Sequence, residues 1–128
     1  MKLLLDTHFL LWSARGEGLP REAQSLIEDE ANDLCYSAAS IWEVAIKFGR
    51  GKPDFSVDPD VLRRSLTDND FEELAVSSLY AGAVARLPPI HNDPFDRMLV
   101  AQATVEGITL LTADAVLARY PGPVRLVR

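Results

Sequence analysis

The sequence has one cysteine, no long apolar run and fewer basic than acidic residues, and each of these shortages excludes a class of protein. The single cysteine, Cys35, cannot form an internal disulfide, which fits a reducing cytoplasm. The apolar run at residues 3–5 ends at Asp6 and is far too short for a signal sequence or a membrane span. We therefore expect a soluble, cytoplasmic protein with no membrane anchor.

The charge balance is acidic, with 13 Lys and Arg against 19 Asp and Glu and a formal net charge of −6. Such a chain is a poor candidate for non-specific binding to duplex nucleic acid, which depends on broad positive surface. It can still act on nucleic acid when its acids form a metal site and basic residues line the approach. The 128 residues, 48% of them hydrophobic and without repeat or linker, predict a single domain over 1–128.

Short apolar runs alternate with helical patterns along the chain. The run at 3–5 has no polar alternation and predicts a strand buried on both faces. Four further runs predict strands, the last of them an edge strand: 34–36, 74–76, 108–111 and 124–127. The predicted helices are 9–15, 20–32, one from 37 or 40 to 49, one starting at 59, one from 77 or 78 to 87, and 94–106. Because strands and helices alternate, we predict an α/β fold with right-handed crossovers and a mainly parallel sheet of four or five strands between helices.

Residues 91–97 open the last predicted helix. Asp93 is predicted as its N-cap, and Pro94 takes the first helical position, where no amide is needed. Asp96 falls in the first turn, where the helix dipole favours an anion. The pattern resembles a capping box, and alone it would be structural more often than not.

Three further acids stand where a strand has just ended or a helix has just begun: Asp6, Glu43 and Asp114. In a parallel sheet flanked by helices, strand C-termini and helix N-termini gather at one edge, where open α/β sheets place their ligands. If the first and fourth strands are neighbours, about 4.8 Å apart, Asp6 and Asp114 come close together. We therefore expect Asp6, Glu43, Asp96 and Asp114 to face one edge.

Clustered carboxylates need a cation or protons. Two of them about 5 Å apart, at an effective dielectric near 20, repel by roughly 3 kcal/mol. Oxygen ligands without a His–Cys cluster favour Mg²⁺ or Mn²⁺ over zinc. Such an ion can orient a water, lower its pKa and stabilise a phosphodiester under in-line attack. The pattern therefore predicts metal-dependent hydrolysis of a phosphate ester.

Four segments in order, 3–8, 37–47, 91–97 and 111–114, resemble the PIN domain and most closely the VapC-type toxins of bacterial and archaeal toxin–antitoxin pairs. The resemblance implies a three-layer α/β/α fold, RNA cleavage with Mg²⁺ or Mn²⁺, homodimerisation and inhibition by a cognate antitoxin. By position, Asp6, Glu43, Asp96 and Asp114 match the family's acidic quartet. Asp6 and Asp96 are then the expected direct metal ligands.

Residues beside the acids receive supporting roles. Thr7 and Thr112 are predicted to hold the orientation of the carboxylates or of the backbone. Asp93 is assigned to helix capping alone. Neither His8 nor His91 is given a catalytic role, since a metal-bound water needs no histidine base.

Side chains around the same edge are candidates for contacts with partners. Four basic residues are candidates for contacts with RNA phosphates: Lys47, Arg97, Arg50 and Lys52. Lys47 also follows Glu43 by four positions, a spacing that often marks only a helix-surface ion pair. Trp42 is interpreted as a core residue; if exposed, it would suit a dimer or an antitoxin helix laid in a groove.

Two rival functions start from the same residues. A phosphatase of the haloacid-dehalogenase type also places an Asp after its first strand, but it needs a second Asp where this chain has His8. A non-catalytic PIN-like interaction module would use the acids to cap helices and to bind a partner's arginine. We favour a metal-dependent endoribonuclease acting as the toxin of a VapBC-type pair. The interaction module and another Mg-dependent phosphohydrolase remain the alternatives.

Overall fold

The computed structural model describes residues 1–51 and 55–128. Residues 52–54, whose Lys-Pro-Asp sequence predicts a loop, lie outside the described residues, and Lys52 with them. The strands are β1 Lys2–Leu5, β2 Asp33–Ser37, β3 Glu72–Leu74, β4 Thr109–Thr112 and β5 Val124–Leu126. The α-helices are α1 Thr7–Arg15, α2 Arg21–Glu28, α3 Ala38–Gly49, α4 Pro59–Asp68, α5 Ser78–Ala83 and α6 Pro94–Glu106. Short 3₁₀ turns cover Val84–Arg86 and Leu117–Arg119.

The five strands form one sheet in the order β3-β2-β1-β4-β5, and every neighbouring pair is parallel. The predicted parallel sheet is confirmed, with β1 beside β4. Leu5 is in register with Leu111, and the amide of Asp6 donates to the carbonyl of Leu111 at 3.1 Å. Strands β1 and β4 therefore end side by side, at what we call the carboxyl edge of the sheet.

The central strand β1 explains the layers, because its side chains alternate between the two faces. Leu3 and Leu5 pack into a core with residues of α1, α3 and α4, whereas Leu4 packs into a second core with residues of α6. All three leucines are fully buried, and burial of each contributes roughly 1.5–3 kcal/mol. Two cores on opposite faces of one sheet give the predicted α/β/α arrangement.

Several predicted boundaries are wrong. Strand β3 is Glu72–Leu74 rather than 74–76, because backbone pairing with β2 takes precedence over apolar composition at an edge strand, and Val76 is exposed. Helix α2 ends at Glu28, and α5 ends at Ala83 before a 3₁₀ turn. The start of α6 and its glycine C-cap are confirmed, with Gly107 at φ +66°. Within the described parts of the chain, no helix is both long and apolar enough to cross a membrane.

Candidate metal centre

The carboxyl edge gathers the four predicted acids. Asp6 follows β1, Glu43 lies on α3, Asp96 lies in the first turn of α6, and Asp114 follows β4. The parallel order of the sheet is what brings them to one edge, since every one of these strands ends there and the helices that follow begin there.

Asp6 is the most deeply anchored of the four and is only 3% exposed. Its Oδ1 accepts from the amide of Phe9 at 2.8 Å as the N-cap of α1, and its Oδ2 accepts from the hydroxyl of Thr112 at 2.6 Å. Burial raises the pKa of Asp6 and the charge of Asp114 raises it further, against these two hydrogen bonds. Asp6 is therefore held rigidly but needs a nearby positive charge to stay ionised.

Thr112 connects two of the acids. Its hydroxyl donates to Asp6 and its oxygen accepts from the amide of Asp114 at 3.0 Å. Asp114 in turn accepts at Oδ1 from the amide of Val116, two residues further along the chain, at 2.8 Å. Thr112 thus fixes the relative placement of Asp6 and Asp114, as expected of a residue that orients carboxylates.

Glu43 is 7% exposed and uses both carboxylate oxygens. Oε1 accepts from the hydroxyl of Thr7 at 2.8 Å, and the oxygen of Thr7 lies 2.9 Å from that of Ser40. Oε2 lies 3.1 Å from Nζ of Lys47, so the i, i+4 ion pair is present. The acid of this pair is buried rather than on an open helix surface, and Lys47 supplies positive charge to the site itself.

Asp96 shows the electrostatic cost of the cluster most clearly. Burial, followed by the carboxylates of Asp93 and Glu43 and more weakly Asp6, raises the pKa of Asp96 to about 7, against the opposing effect of His91. A carboxyl group with this pKa takes up a proton readily at neutral pH unless a cation replaces it. Asp96 therefore marks a position where additional positive charge is favourable.

Asp93 and Arg97 flank Asp96 but act on the backbone. Asp93 caps α6 by accepting from the amides of Phe95 at 2.8 Å and Asp96 at 3.2 Å, as predicted. The guanidinium of Arg97 donates to the carbonyls of Pro88 and Val84 and to the hydroxyl of Tyr120 at 3.0–3.1 Å. These bonds give Arg97 a structural task, and its predicted contact with RNA stays a prediction.

Sequence reasoning left His91 out of the site, but the structure places it between two of the acids. Its Nε2 lies 3.4 Å from Oδ2 of Asp96 and 3.4 Å from Oδ2 of Asp114. The available signal was its position two residues before the N-cap Asp93, which brings it to the start of the helix that carries Asp96. His8 lines a cavity with Asp6 and Asp114, and its ring lies beside that of Trp12 with centroids 6.0 Å apart.

The donor groups fit a divalent cation. Ligand atoms of His91, Asp96 and Asp114 lie within 4.8 Å of one another. Asp6 is tied to Asp114 through Thr112, and Glu43 and Asp6 both influence the charge of Asp96. An oxygen-rich set of this kind suits Mg²⁺ or Mn²⁺.

An apolar surface adjoins the acids. Trp42 precedes Glu43 and Phe95 precedes Asp96, and their rings contact each other edge to face with centroids 5.2 Å apart. Trp42 is 64% exposed, so its interpretation as a core residue is wrong. Together with Val76 and Met98 these rings line a cavity of about 370 Å³ between α3 and α6.

Comparisons with known proteins agree with this architecture. A family model described as PIN domain matches residues 3–123. No curated protein matches the sequence. The chain is similar in fold to VapBC2 from Rickettsia felis bound to a DNA fragment from their promoter, with TM-score 0.72, 14% identity and 100% of both chains covered.

Two further solved structures share the fold. One is DNA-bound VapBC from Salmonella typhimurium, with TM-score 0.68, 16% identity and 98% of this chain and 97% of that chain covered. The other is a toxin–antitoxin complex from Klebsiella pneumoniae, with TM-score 0.64, 22% identity and coverage of 96% and 95%.

Proposed function

The chain belongs to the PIN domain family, and from that premise we propose that it is a metal-dependent endoribonuclease, the toxin of a VapBC-type toxin–antitoxin pair. The observation that carries the proposal is the convergence of Asp6, Glu43, Asp96 and Asp114 at the carboxyl edge. The raised pKa of Asp96 supports it, because a buried carboxyl that resists ionisation becomes an anion most easily beside a metal ion.

In this proposal each acidic residue of the site has a role in binding the metal ion. Asp6 and Asp96 are the proposed direct ligands of Mg²⁺ or Mn²⁺, with Glu43 and Asp114 completing the set. When bound, such an ion supplies an activated water and stabilises the charge that develops on a phosphodiester under attack. In this proposal Thr7 and Thr112 orient Glu43 and Asp6 through the hydrogen bonds at 2.8 and 2.6 Å.

Charge near the site also supports a polyanionic substrate. Lys47 lies 3.1 Å from Glu43 while its side chain stays 36% exposed. A partly exposed ammonium beside the acids is suited to contact an RNA phosphate once a metal ion takes over the charge of Glu43. In this proposal Lys47 binds the RNA backbone, while Arg97 holds residues 84–88 against α6.

Protein partners belong to the same proposal. The solved structures described above that share this fold are two VapBC assemblies and a toxin–antitoxin complex. The exposed Trp42 and the apolar cavity beside it support a protein contact next to the acids. We propose a cognate antitoxin and a homodimer as the partners, a single PIN domain over 1–128 and a cytoplasmic site of action.

One observation supports the alternative function, a non-catalytic interaction module. Asp6 and Asp93 cap helices, and Asp114 accepts from the amide of Val116, so three of the acids at this edge have structural tasks. Capping needs no metal ion, however, and it does not account for the burial of Glu43 or for the raised pKa of Asp96.

Incubation with RNA tests the proposal. The purified protein should cleave total RNA with Mg²⁺ or Mn²⁺ and not with EDTA. Asp96→Asn should reduce cleavage by about a hundredfold or more and also weaken the thermal stabilisation that millimolar Mn²⁺ gives. Asp68→Asn is the matched control, because Asp68 is an exposed aspartate at the end of α4.

Two results would contradict it. Cleavage that survives in Asp96→Asn to the same extent as in Asp68→Asn would remove Asp96 from the site. Failure of Mn²⁺ to raise the melting temperature, together with uncleaved RNA, would favour the interaction module.

A further inference from the structure

His91 is fixed from two directions. Its backbone amide donates to the hydroxyl of Tyr120 at 2.9 Å, and Tyr120 is itself 3% exposed and bonded to Arg97. Its ring Nδ1 accepts from the amide of Asp93 at 3.0 Å. The imidazole, 22% exposed, therefore has one defined orientation, with Nε2 directed at Asp96 and Asp114.

The bond at Nδ1 decides what Nε2 can do. An amide can donate only to a ring nitrogen that carries no hydrogen, so the hydrogen of the imidazole is on Nε2. Nε2 lies 3.4 Å from both Oδ2 atoms; its contact with Asp114 has hydrogen-bond geometry, and the same N–H attracts the carboxylate of Asp96 electrostatically. In this tautomer Nε2 donates and has no lone pair for a metal ion.

We propose that His91 is a positioning residue that occupies the place of the cation: it holds Asp96 and Asp114 together through Nε2–H, and a divalent ion must displace it. The inference rests on the proposed metal site and adds a residue that competes with the metal rather than ligating it. For His91 to become a ligand through Nε2, the ring hydrogen would have to move to Nδ1, which would break the bond from the Asp93 amide.

Two substitutions separate the two ring nitrogens. In His91→Asn the amide oxygen replaces Nδ1 and can accept from Asp93, but nothing remains at the position of Nε2. In His91→Gln the amide nitrogen reaches the position of Nε2 and can donate to the carboxylates, but the bond from Asp93 is lost. His8→Asn controls for loss of an imidazole from the other histidine of the chain.

Metal affinity, measured by calorimetric titration without RNA, is the main readout. Because His91→Asn removes the competing donor, we expect it to bind Mn²⁺ and Mg²⁺ more tightly by the same factor, about threefold to tenfold, the range of one net hydrogen bond. His91→Gln should stay within about twofold of the wild type, and His8→Asn should not change.

Stability of the metal-free protein is the second readout, and it does not depend on the proposed function. His91→Asn should melt below His91→Gln in EDTA, because its carboxylates lose their shared donor. If the wild type binds no Mn²⁺, both the proposed function and the competition between His91 and the metal ion are refuted. The comparison in EDTA would still test whether Nε2–H of His91 holds Asp96 and Asp114 together.

Opposite results would overturn the proposal. Weaker binding in His91→Asn, with Mn²⁺ affected more than Mg²⁺, would make His91 a ligand, since imidazole favours Mn²⁺ over Mg²⁺. If the metal affinity of His91→Asn is unchanged, or if His91→Asn and His91→Gln both bind the metal ion more tightly by the same factor, the contact of Nε2 with the carboxylates does not affect metal binding.

Discussion

The two edges of the sheet both carry acids, but in different surroundings. At the edge where the strands begin, which we call the amino edge, Glu72 pairs with Lys2 at 3.3 Å, and the two side chains are 65% and 43% exposed. At the carboxyl edge, Asp6 and Glu43 are 3% and 7% exposed. Water therefore screens the charges at the amino edge and is largely excluded from Asp6 and Glu43, whereas the side chain of Asp114 at the carboxyl edge is still 39% exposed.

This difference shows how to separate an acid that serves solubility from one that serves chemistry. An exposed pair such as Lys2 and Glu72 contributes about 0–1 kcal/mol and can be lost without consequence. Buried acids such as Asp6 raise the free energy of the folded state when they ionise, and burial is the main cause of the raised pKa of Asp6 and Asp96. Such a cost is explained when the acids bind a cation.

Neutralising Asp6 should give the largest contrast between the edges. Asp6→Asn should reduce RNA cleavage by about a hundredfold or more, since a proposed ligand is lost. At pH 8 in EDTA it should raise the free energy of unfolding, because a buried charge disappears while an oxygen still accepts from Phe9. Chemical denaturation and a cleavage assay measure the two effects.

Asp6→Ala provides the control for capping. It should be less stable than Asp6→Asn by about 1 kcal/mol, because the N-cap of α1 is lost. If Asp6→Asn is instead strongly destabilised, Asp6 serves mainly as a cap.

The second largest effect is expected in the pH dependence of the free energy of unfolding of the metal-free protein. Asp96 has a pKa of about 7 when folded against its usual 3.8, so between these values the folded state holds a proton that the unfolded state has lost. Raising the pH from about 4 to about 7 should therefore lower the free energy of unfolding, by about 1–3 kcal/mol from this group, since solvent around the partly exposed carboxyl screens part of the effect. Chemical denaturation in EDTA across this pH range measures the slope of the free energy of unfolding against pH.

Asp96→Asn should reduce that slope, and Glu72→Gln at the amino edge should not. Mn²⁺ added at pH 8 should restore stability to the wild type. A slope unchanged in Asp96→Asn would show that another group, such as Asp6, dominates the dependence.

The smallest effect is expected at the amino edge. Glu72→Gln breaks the exposed pair with Lys2 and should change the free energy of unfolding by less than about 1 kcal/mol, with an even smaller effect in high salt. RNA cleavage should not change. A loss of cleavage in this variant would contradict the assignment of function to one edge alone.

Much of the fold follows from local patterns. Buried runs such as residues 3–5 predicted strands, and the Asp–Pro pair at 93 and 94 predicted the start of α6, because N-capping and the fixed φ of proline are local effects. The position of β3 was not predicted correctly, because Glu72 and Glu73 become strand residues only through backbone pairing with β2. Edge pairing of this kind depends on a neighbour distant in sequence.

The candidate site was predictable where residue type and position agreed. Asp6, Glu43, Asp96 and Asp114 were predicted to face one edge because parallel strands end together, and the structure places them there. His91 was missed because its role depends on Tyr120, 29 residues away, and on the ring orientation that the Asp93 amide sets. No local pattern specifies the contact with Tyr120, and the bond from the Asp93 amide, although local, does not by itself show that Nε2 meets Asp96 and Asp114.

The alternation of strands and helices, the helix caps and the edge at which the acids gather can be read from residue order alone, because these features depend on short-range periodicity and backbone chemistry. Folding is needed to raise the pKa of Asp96 to about 7, to link Asp6 to Asp114 through Thr112 and to bring His91 between two carboxylates. Desolvation and hydrogen bonding depend on which distant side chains pack together, and the whole sheet sets that packing.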